Sequence, residues 1–235
     1  VSDPKGVIVT GGTGALGRAL VTLLVERGTR VAVPGRRAAE LRALESALAP
    51  DPPLLGVEAD VSHAEGARAF VEKAVQWLGV LDGAALIAGG WAGGARFEDA
   101  PQDEWEQMAG ANLATVRHVC RAALPHLLDG GGSVVTVGAR AAETSAGAGM
   151  SAYAVSKSAV HALTRVLAFE NRTRRVRFNC VLPGTIDTPA NRRGMPDADR
   201  SGWTSPAAIA QVMAFLLSSD SQAVTGALIP VDSPA

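Results

Sequence analysis

Short apolar runs alternate along the whole chain with longer stretches whose apolar residues recur every third or fourth position. Val7-Ile8-Val9 is the first run; it breaks into Thr10-Gly11-Gly12-Thr13-Gly14-Ala15-Leu16-Gly17 and turns helical at once. Leu16, Leu20, Leu23 and Leu24 fall at helical spacing, so a helix is expected from about Ala15 to Arg27, with Gly28 placed to end it. Further strands are expected over 30–33, 54–59, 83–87, 133–137, 176–182 and 227–231. Helices are expected over about 38–48, 64–77, 102–128, 151–170 and 206–217. Two stretches break the rhythm. Gly138 to Met150 reads as a small, mobile loop, and Ala190 to Ser205 is polar and proline-punctuated, as a lid would be.

The first strand, its turn and its helix make a corner that a phosphate fits. Glycines let the backbone turn sharply and approach an anion, while the helix start supplies unpaired N–H groups and a positive dipole end. Gly12, Gly14 and Gly17 spell GxGxxG, and Thr10, Gly11, Ala15 and Gly17 nearly spell TGxxxGxG, with alanine in place of the middle glycine.

Composition narrows the chemistry. With 235 residues, 47% of them apolar, the chain can bury one sizeable core, and a single domain spanning 1–235 is the default. The 22 basic and 23 acidic residues nearly cancel, so there is no basic field for nucleic acid, and a small-molecule substrate is expected. The first apolar run is only a strand long and no apolar stretch could span a bilayer, which points to a soluble, cytoplasmic protein with no membrane partner. Cys120 and Cys180 sit in apolar segments and read as core residues. His63, His118, His126 and His161 show no metal-ligand spacing, and all four read as bland.

Candidate site residues gather at the ends of the expected strands. The second strand ends in Pro34-Gly35-Arg36-Arg37; with glycine where an acid would meet a ribose and two arginines after it, NADP(H) is favoured over NAD(H). Asp60, followed by Val61, could accept from an adenine amino group, or Asp60 or Ser62 could cap the next helix. After the fourth strand, Ala88-Gly89-Gly90-Trp91-Ala92-Gly93-Gly94 forms an apron at the carboxyl edge. Gly89 and Gly90 line the cofactor, and Trp91 is either a substrate wall or a packing residue. Asn112 stands among apolar neighbours in mid-helix, where a buried amide is either functional or helix-distorting. Tyr153, the only tyrosine, and Lys157 are four apart and share one helix face. A neighbouring ammonium lowers a phenol's pKa, which suits Tyr153 to donate a proton where hydride is received.

With the glycine turn, Asp60-Val61, Asn112, Tyr153/Lys157 and Pro183-Gly184 in register, the chain resembles the short-chain dehydrogenase/reductases over essentially its whole length. The resemblance implies a single-domain Rossmann-type α/β fold, a doubly wound parallel sheet of about seven strands with helices on both faces. It implies Tyr153 as proton donor, Lys157 on the nicotinamide ribose, Asn112 in a proton relay, Ile186 and Thr188 near the carboxamide, and a homodimer or homotetramer. Three departures stand out: Leu86-Ile87-Ala88-Gly89 where Asn-Asn-Ala-Gly is usual, Gly138-Ala139-Arg140 where a serine ends the fifth strand, and Ala15 for the middle glycine. Ser145, Ser151 and Arg140 are left open as substitutes for that serine, Arg140 also as a substrate contact. All three departures are similar to the quinonoid dihydropteridine reductase branch, as are Asp187-Thr188-Pro189-Ala190-Asn191-Arg192, Gly147-Ala148-Gly149-Met150 and Met195-Pro196-Asp197-Ala198-Asp199 before Trp203-Thr204. That branch often carries an aspartate where this chain has Gly35-Arg36-Arg37. Alternatives are a generalist ketone or quinone reductase and a cofactor sensor without turnover.

Overall fold

A computed structural model describes residues 3–48, 50–144 and 148–233. Seven parallel strands form one sheet in the order β3-β2-β1-β4-β5-β6-β7. They are β1 (Gly6–Thr10), β2 (Arg30–Gly35), β3 (Leu54–Glu58), β4 (Gly83–Leu86), β5 (Gly132–Val137), β6 (Val176–Pro183) and β7 (Leu228–Val231). The helices are α1 (Ala15–Glu26), α2 (Ala38–Glu45), α3 (Ala64–Leu78), α4 (Gln102–Met108), α5 (Thr115–Gly130), α6 (Ala141–Thr144), α7 (Ser151–Asn171), α8 (Pro189–Gly194) and α9 (Pro206–Leu217). This is the expected Rossmann-type architecture.

Alternate residues of the central strands feed two cores. Val7, Val9, Val31 and Val33 pack with Leu20, Leu24, Ile209 and Met213 on the face covered by α1 and α9. Ile8, Ala32, Val134 and Phe178 pack with Phe70, Leu127 and Val160 on the other, under α3, α5 and α7. A strand buried on both faces needs an unbroken apolar run, which is why β1 was legible. Each large side chain so buried, such as Phe70 or Phe178, contributes about 2–3 kcal/mol.

Three expected stretches differ in detail. The helix forecast for 102–128 does run unbroken to Gly130, but α4 and α5 are joined by a wide π turn over Ala109–Ala114 that carries Asn112. The extra residue in that turn lets the amide meet partners on two other elements, described below. The 138–150 loop contains the helical turn α6, and the 190–205 segment opens with α8. Proline at the first helical position and the Thr188 hydroxyl, accepting from the Asn191 N–H at 3.1 Å, start α8. The segment is also fastened at its far end, where the Thr204 N–H donates to the Thr185 carbonyl at 3.0 Å.

Candidate active site at the carboxyl edge of the sheet

Strand order reverses between β1 and β4, and the crevice at their carboxyl ends is where ligands bind in such sheets. The Thr10 hydroxyl accepts from the Ala88 N–H at 3.1 Å, tying the two strand ends together. On one side lies the glycine turn. Gly11 holds a φ of +68°, and a Cβ there would fall 2.9 Å from the Ala88 nitrogen. A Cβ on Gly17 would stand 2.1 Å from the Gly11 carbonyl oxygen and 2.6 Å from the Gly12 Cα. Gly12 presses on Val33 in the same way. Gly14 begins α1 with no side-chain cap, and Gly14 and Ala15 are exposed while Leu16 and Gly17 are buried. First-turn amides without a side-chain acceptor, reached over bare glycine, fit a diphosphate. Arg18 braces the turn by donating from Nε to the Thr13 carbonyl at 2.9 Å.

At the tip of β2 the two arginines part company. Arg37 caps α2 by position and its guanidinium pairs with Glu40, whereas Arg36 acts on Asp60 by charge. The Ser62 hydroxyl and N–H, donating at 2.6 and 2.9 Å, hold Asp60 below the ordinary carboxylate range, with lesser help from His63 and Arg36. Neither Asp60 nor Ser62 caps α3: His63 occupies the cap position without a side-chain capping bond, and the Ser62 hydroxyl is spent on Asp60. Val61 is buried beside them.

Across the switch point the site is made of side chains. Asn112 Oδ1 accepts from the Gly90 N–H at 2.9 Å, and its Nδ2 donates to Ser156 Oγ at 2.9 Å. Ser156 in turn donates to the Tyr153 carbonyl at 2.7 Å. A Cβ on Gly89 would fall 2.5 Å from Asn112 Oδ1 and 3.4 Å from Lys157 Nζ, so glycine is required where these groups converge. Lys157 is buried and donates from Nζ to the Val137 carbonyl at 2.9 Å. Burial pulls its pKa down to about 8. The Tyr153 phenol is shifted upward by burial, not downward by Lys157 as the helix spacing led us to expect. The ammonium is turned to Val137, and desolvation governs the phenol.

The remaining expected residues rim this centre. Trp91 is 61% exposed on the apron, whose Gly94 N–H donates to the Gly149 carbonyl at 2.8 Å just ahead of α7. Arg140 donates from its backbone N–H to the Pro183 carbonyl, and its guanidinium pairs with Asp232 at 3.1 Å and Glu143 at 3.4 Å. Asp232 also lies against Gly184. The Ile186 carbonyl accepts from Asn191 Nδ2 at 2.8 Å, and the Thr188 hydroxyl caps α8. Ser145 and Gly147 lie outside the described residues. Ser151 opens α7. Cys120 and Cys180 are buried as expected, and burial pushes the Cys120 thiol up to about 12.

Two residues at the site escaped sequence reasoning. Ser156 is an ordinary helical serine until the π turn brings Asn112 to it. His161, set aside as bland, is buried one turn beyond Lys157 against the end of β5. Its signal was the Tyr153, Lys157, His161 spacing of four and four beside a glycine-for-serine exchange.

A family model described as enoyl-(acyl carrier protein) reductase matches residues 12–233. (−)-trans-Carveol dehydrogenase of Rhodococcus erythropolis is 33% identical over 75% of this chain and 73% of its own. The chain is a short-chain dehydrogenase/reductase. Carbonyl reductase family member 4 of Danio rerio is 30% identical over 96% of this chain and 95% of its own. Among solved structures, the NADPH-bound short-chain oxidoreductase of Pseudomonas aeruginosa PAO1, described as containing an atypical catalytic center, superposes with a TM-score of 0.90. It is 29% identical, and the match covers 98% of this chain and 97% of that one. This short-chain dehydrogenase/reductase is accordingly an NAD(P)H-dependent oxidoreductase. No helix among its described residues is long and apolar enough to cross a membrane.

Proposed function

We propose that the chain is an NADP(H)-dependent reductase of a quinonoid dihydropteridine, with Tyr153 as proton donor. The observation that carries this reading is the chain of contacts from Gly90 through Asn112 and Ser156 to the Tyr153 backbone, with Lys157 one turn on. NADPH, when bound, supplies the hydride. The amides of 11–17 hold its diphosphate and Ala88, Gly89 and Gly90 line its path. Arg36, assisted by Arg37, takes the 2′-phosphate; Asp60 and Val61 border the adenine; Pro183, Gly184, Ile186 and Thr188 flank the nicotinamide.

The chain's own groups then move one proton. A phenol raised by burial keeps its proton at neutral pH and so has one to give a substrate heteroatom, though burial makes it the weaker acid. Lys157 as ammonium on the nicotinamide ribose stabilises the phenolate left behind, opposing the burial that disfavours it. Asn112, linked through Ser156, supports the path that returns the proton.

The substrate follows from what the strand end lacks. Gly138 and Ala139 offer no hydroxyl to polarise an isolated carbonyl, and a conjugated, electron-poor ring system needs none. Exposed Trp91 gives a flat ring a stacking wall, and Arg140 reaches substrate on leaving Asp232. A ketone or quinone reductase is the second reading, favoured by the likeness to carveol dehydrogenase and a carbonyl reductase. Stopped-flow oxidation of NADPH by quinonoid dihydropterin, set against ketones and quinones, separates the two; turnover confined to the carbonyl panel removes the pteridine. We further propose a homodimer or homotetramer through α7, supported by Val155, Val166 and Phe169 standing 55, 51 and 67% exposed along it. A monomer by light scattering would overturn that.

A further inference from the structure

One buried titratable side chain beside the site has no part in this scheme. His161 is 6% exposed and follows Lys157 by one turn of α7. Its Nε2 accepts from the Ala139 N–H at 3.3 Å. The ring also fills the space a side chain at 138 would need: a Cβ on Gly138 would stand 2.2 Å from Nε2 and 2.5 Å from Cδ2. Lys157, one turn earlier, donates to the Val137 carbonyl two residues upstream of Ala139. Successive turns of α7 thus grip both sides of Gly138, one as a cation giving a hydrogen bond and the other as a neutral ring receiving one.

We propose that His161 is a positioning residue, whose neutral imidazole holds the carboxyl end of β5 so that the Val137 carbonyl stays under Lys157 and Arg140 stays at the rim. The proposal rests on the reading of Tyr153 and Lys157 as proton donor and ribose-holding amine. It explains the glycine: a larger residue at 138 would evict the ring.

The hold works in one protonation state. Accepting at Nε2 requires its lone pair, so the ring proton sits on Nδ1. Protonation turns Nε2 into a donor that faces another donor, and the bond is lost. The charged groups around the ring are Glu143 on α6, which favours the imidazolium, and Lys157 and Arg165 on α7, which oppose it. From β5 and β6 the neighbours at Gly138 are Ala139 and Leu182, which do not ionise. Burial, the largest influence, keeps the ring neutral to lower pH than free histidine. The bond is therefore intact above about pH 6.5 and is lost as pH falls through the lowered value.

The test uses the full chain with NADP present. Turnover of whichever pterin, ketone or quinone the parent reduces fastest is followed against pH, alongside nitrogen and amide NMR of His161 and Ala139. We expect the Ala139 amide to shift with the His161 titration and kcat to fall with it. His161→Gln, whose amide oxygen accepts at any pH, should keep kcat within about threefold and lose that acid limb. His161→Leu, which fills the space without accepting, should lower kcat about tenfold above about pH 6.5, as loss of one positioning hydrogen bond would, and converge with the parent once the parent's imidazole is protonated, with NADPH affinity unchanged. An unshifted Ala139 amide, an acid limb retained in His161→Gln, or parental kcat in His161→Leu above about pH 6.5 would each overturn the proposal. If the Leu variant fails to fold, the Gln variant and the NMR titration decide. If the parent turns over nothing, the functional reading fails by itself and the Ala139 titration still tests the hold.

Discussion

The two halves of the carboxyl edge are built in opposite ways. Over β1 to β3 the site is backbone: Gly11, Gly12 and Gly17 are in contact with main chain or Val33, and there is no room for one more methyl group. Over β4 to β6 it is side chains, with Asn112, Ser156 and Lys157 buried and mutually satisfied or anchored on carbonyls. The first half is damaged by adding atoms and the second by removing them. A diphosphate is bound by donors and a dipole that any sequence can supply once glycine clears the way. Proton transfer needs particular titrating groups, and these must be carried by helix faces.

Removing one atom from the second half should give the largest effect. Tyr153→Phe is expected to lower kcat by about 10²–10⁴, the span of general acid catalysis, while NADPH affinity measured by calorimetry stays within twofold. Turnover at the parent's rate would break the contrast, since the side-chain half would then be dispensable. Adding one carbon to the first half comes next. Gly17→Ala sets a methyl against the Gly11 carbonyl and should cost about 2–3 kcal/mol. The loss should show equally in NADPH and NADH affinity, because the shared diphosphate is what the turn meets; parental affinity for both would sink the backbone account.

Arg36 sharpens the comparison because it is a side chain in the backbone half. Arg36→Ala should weaken NADPH about 10- to 100-fold and leave NADH nearly unchanged, as expected for one charge-assisted phosphate contact. Arg37→Ala should do less, since its guanidinium is already engaged by Glu40. Equal losses of both cofactors in Arg36→Ala would show that the tip of β2 is merely unfolding.

What could be read from the chain divides along the same line. β1, its turn and α1 were legible because burial on both strand faces demands an apolar run and the turn demands glycine. Tyr153 and Lys157 were legible because four-residue spacing fixes a shared face. The π turn was not, since one inserted residue between 109 and 114 leaves the apolar rhythm on either side intact. Ser156 and His161 were hidden for the same reason: their partners come from other elements, the π turn and the end of β5. The start of α8 was within reach, as Thr188-Pro189 is a helix-opening pair, but the polar, proline-punctuated run after it read as a lid.

Lys157 separates stability from chemistry. Its ammonium is buried beneath the site and bonded to the Val137 carbonyl, and burial lowers its pKa from 10.5 to about 8. Between those values the unfolded chain holds a proton that the folded chain has released, so stability rises with pH across the window. Below about pH 8 the fold carries the whole penalty of a buried charge, about 3 kcal/mol. Lys157→Met removes that penalty and forfeits the hydrogen bond to Val137, worth about 1 kcal/mol. The variant should therefore be more stable than the parent by about 2 kcal/mol in urea at pH 7, with the advantage fading as pH climbs toward 10.5. It should at the same time lose turnover. A variant no more stable than the parent at pH 7 would mean that the amine is not under strain, and that the side-chain half of the edge is as relaxed as the backbone half.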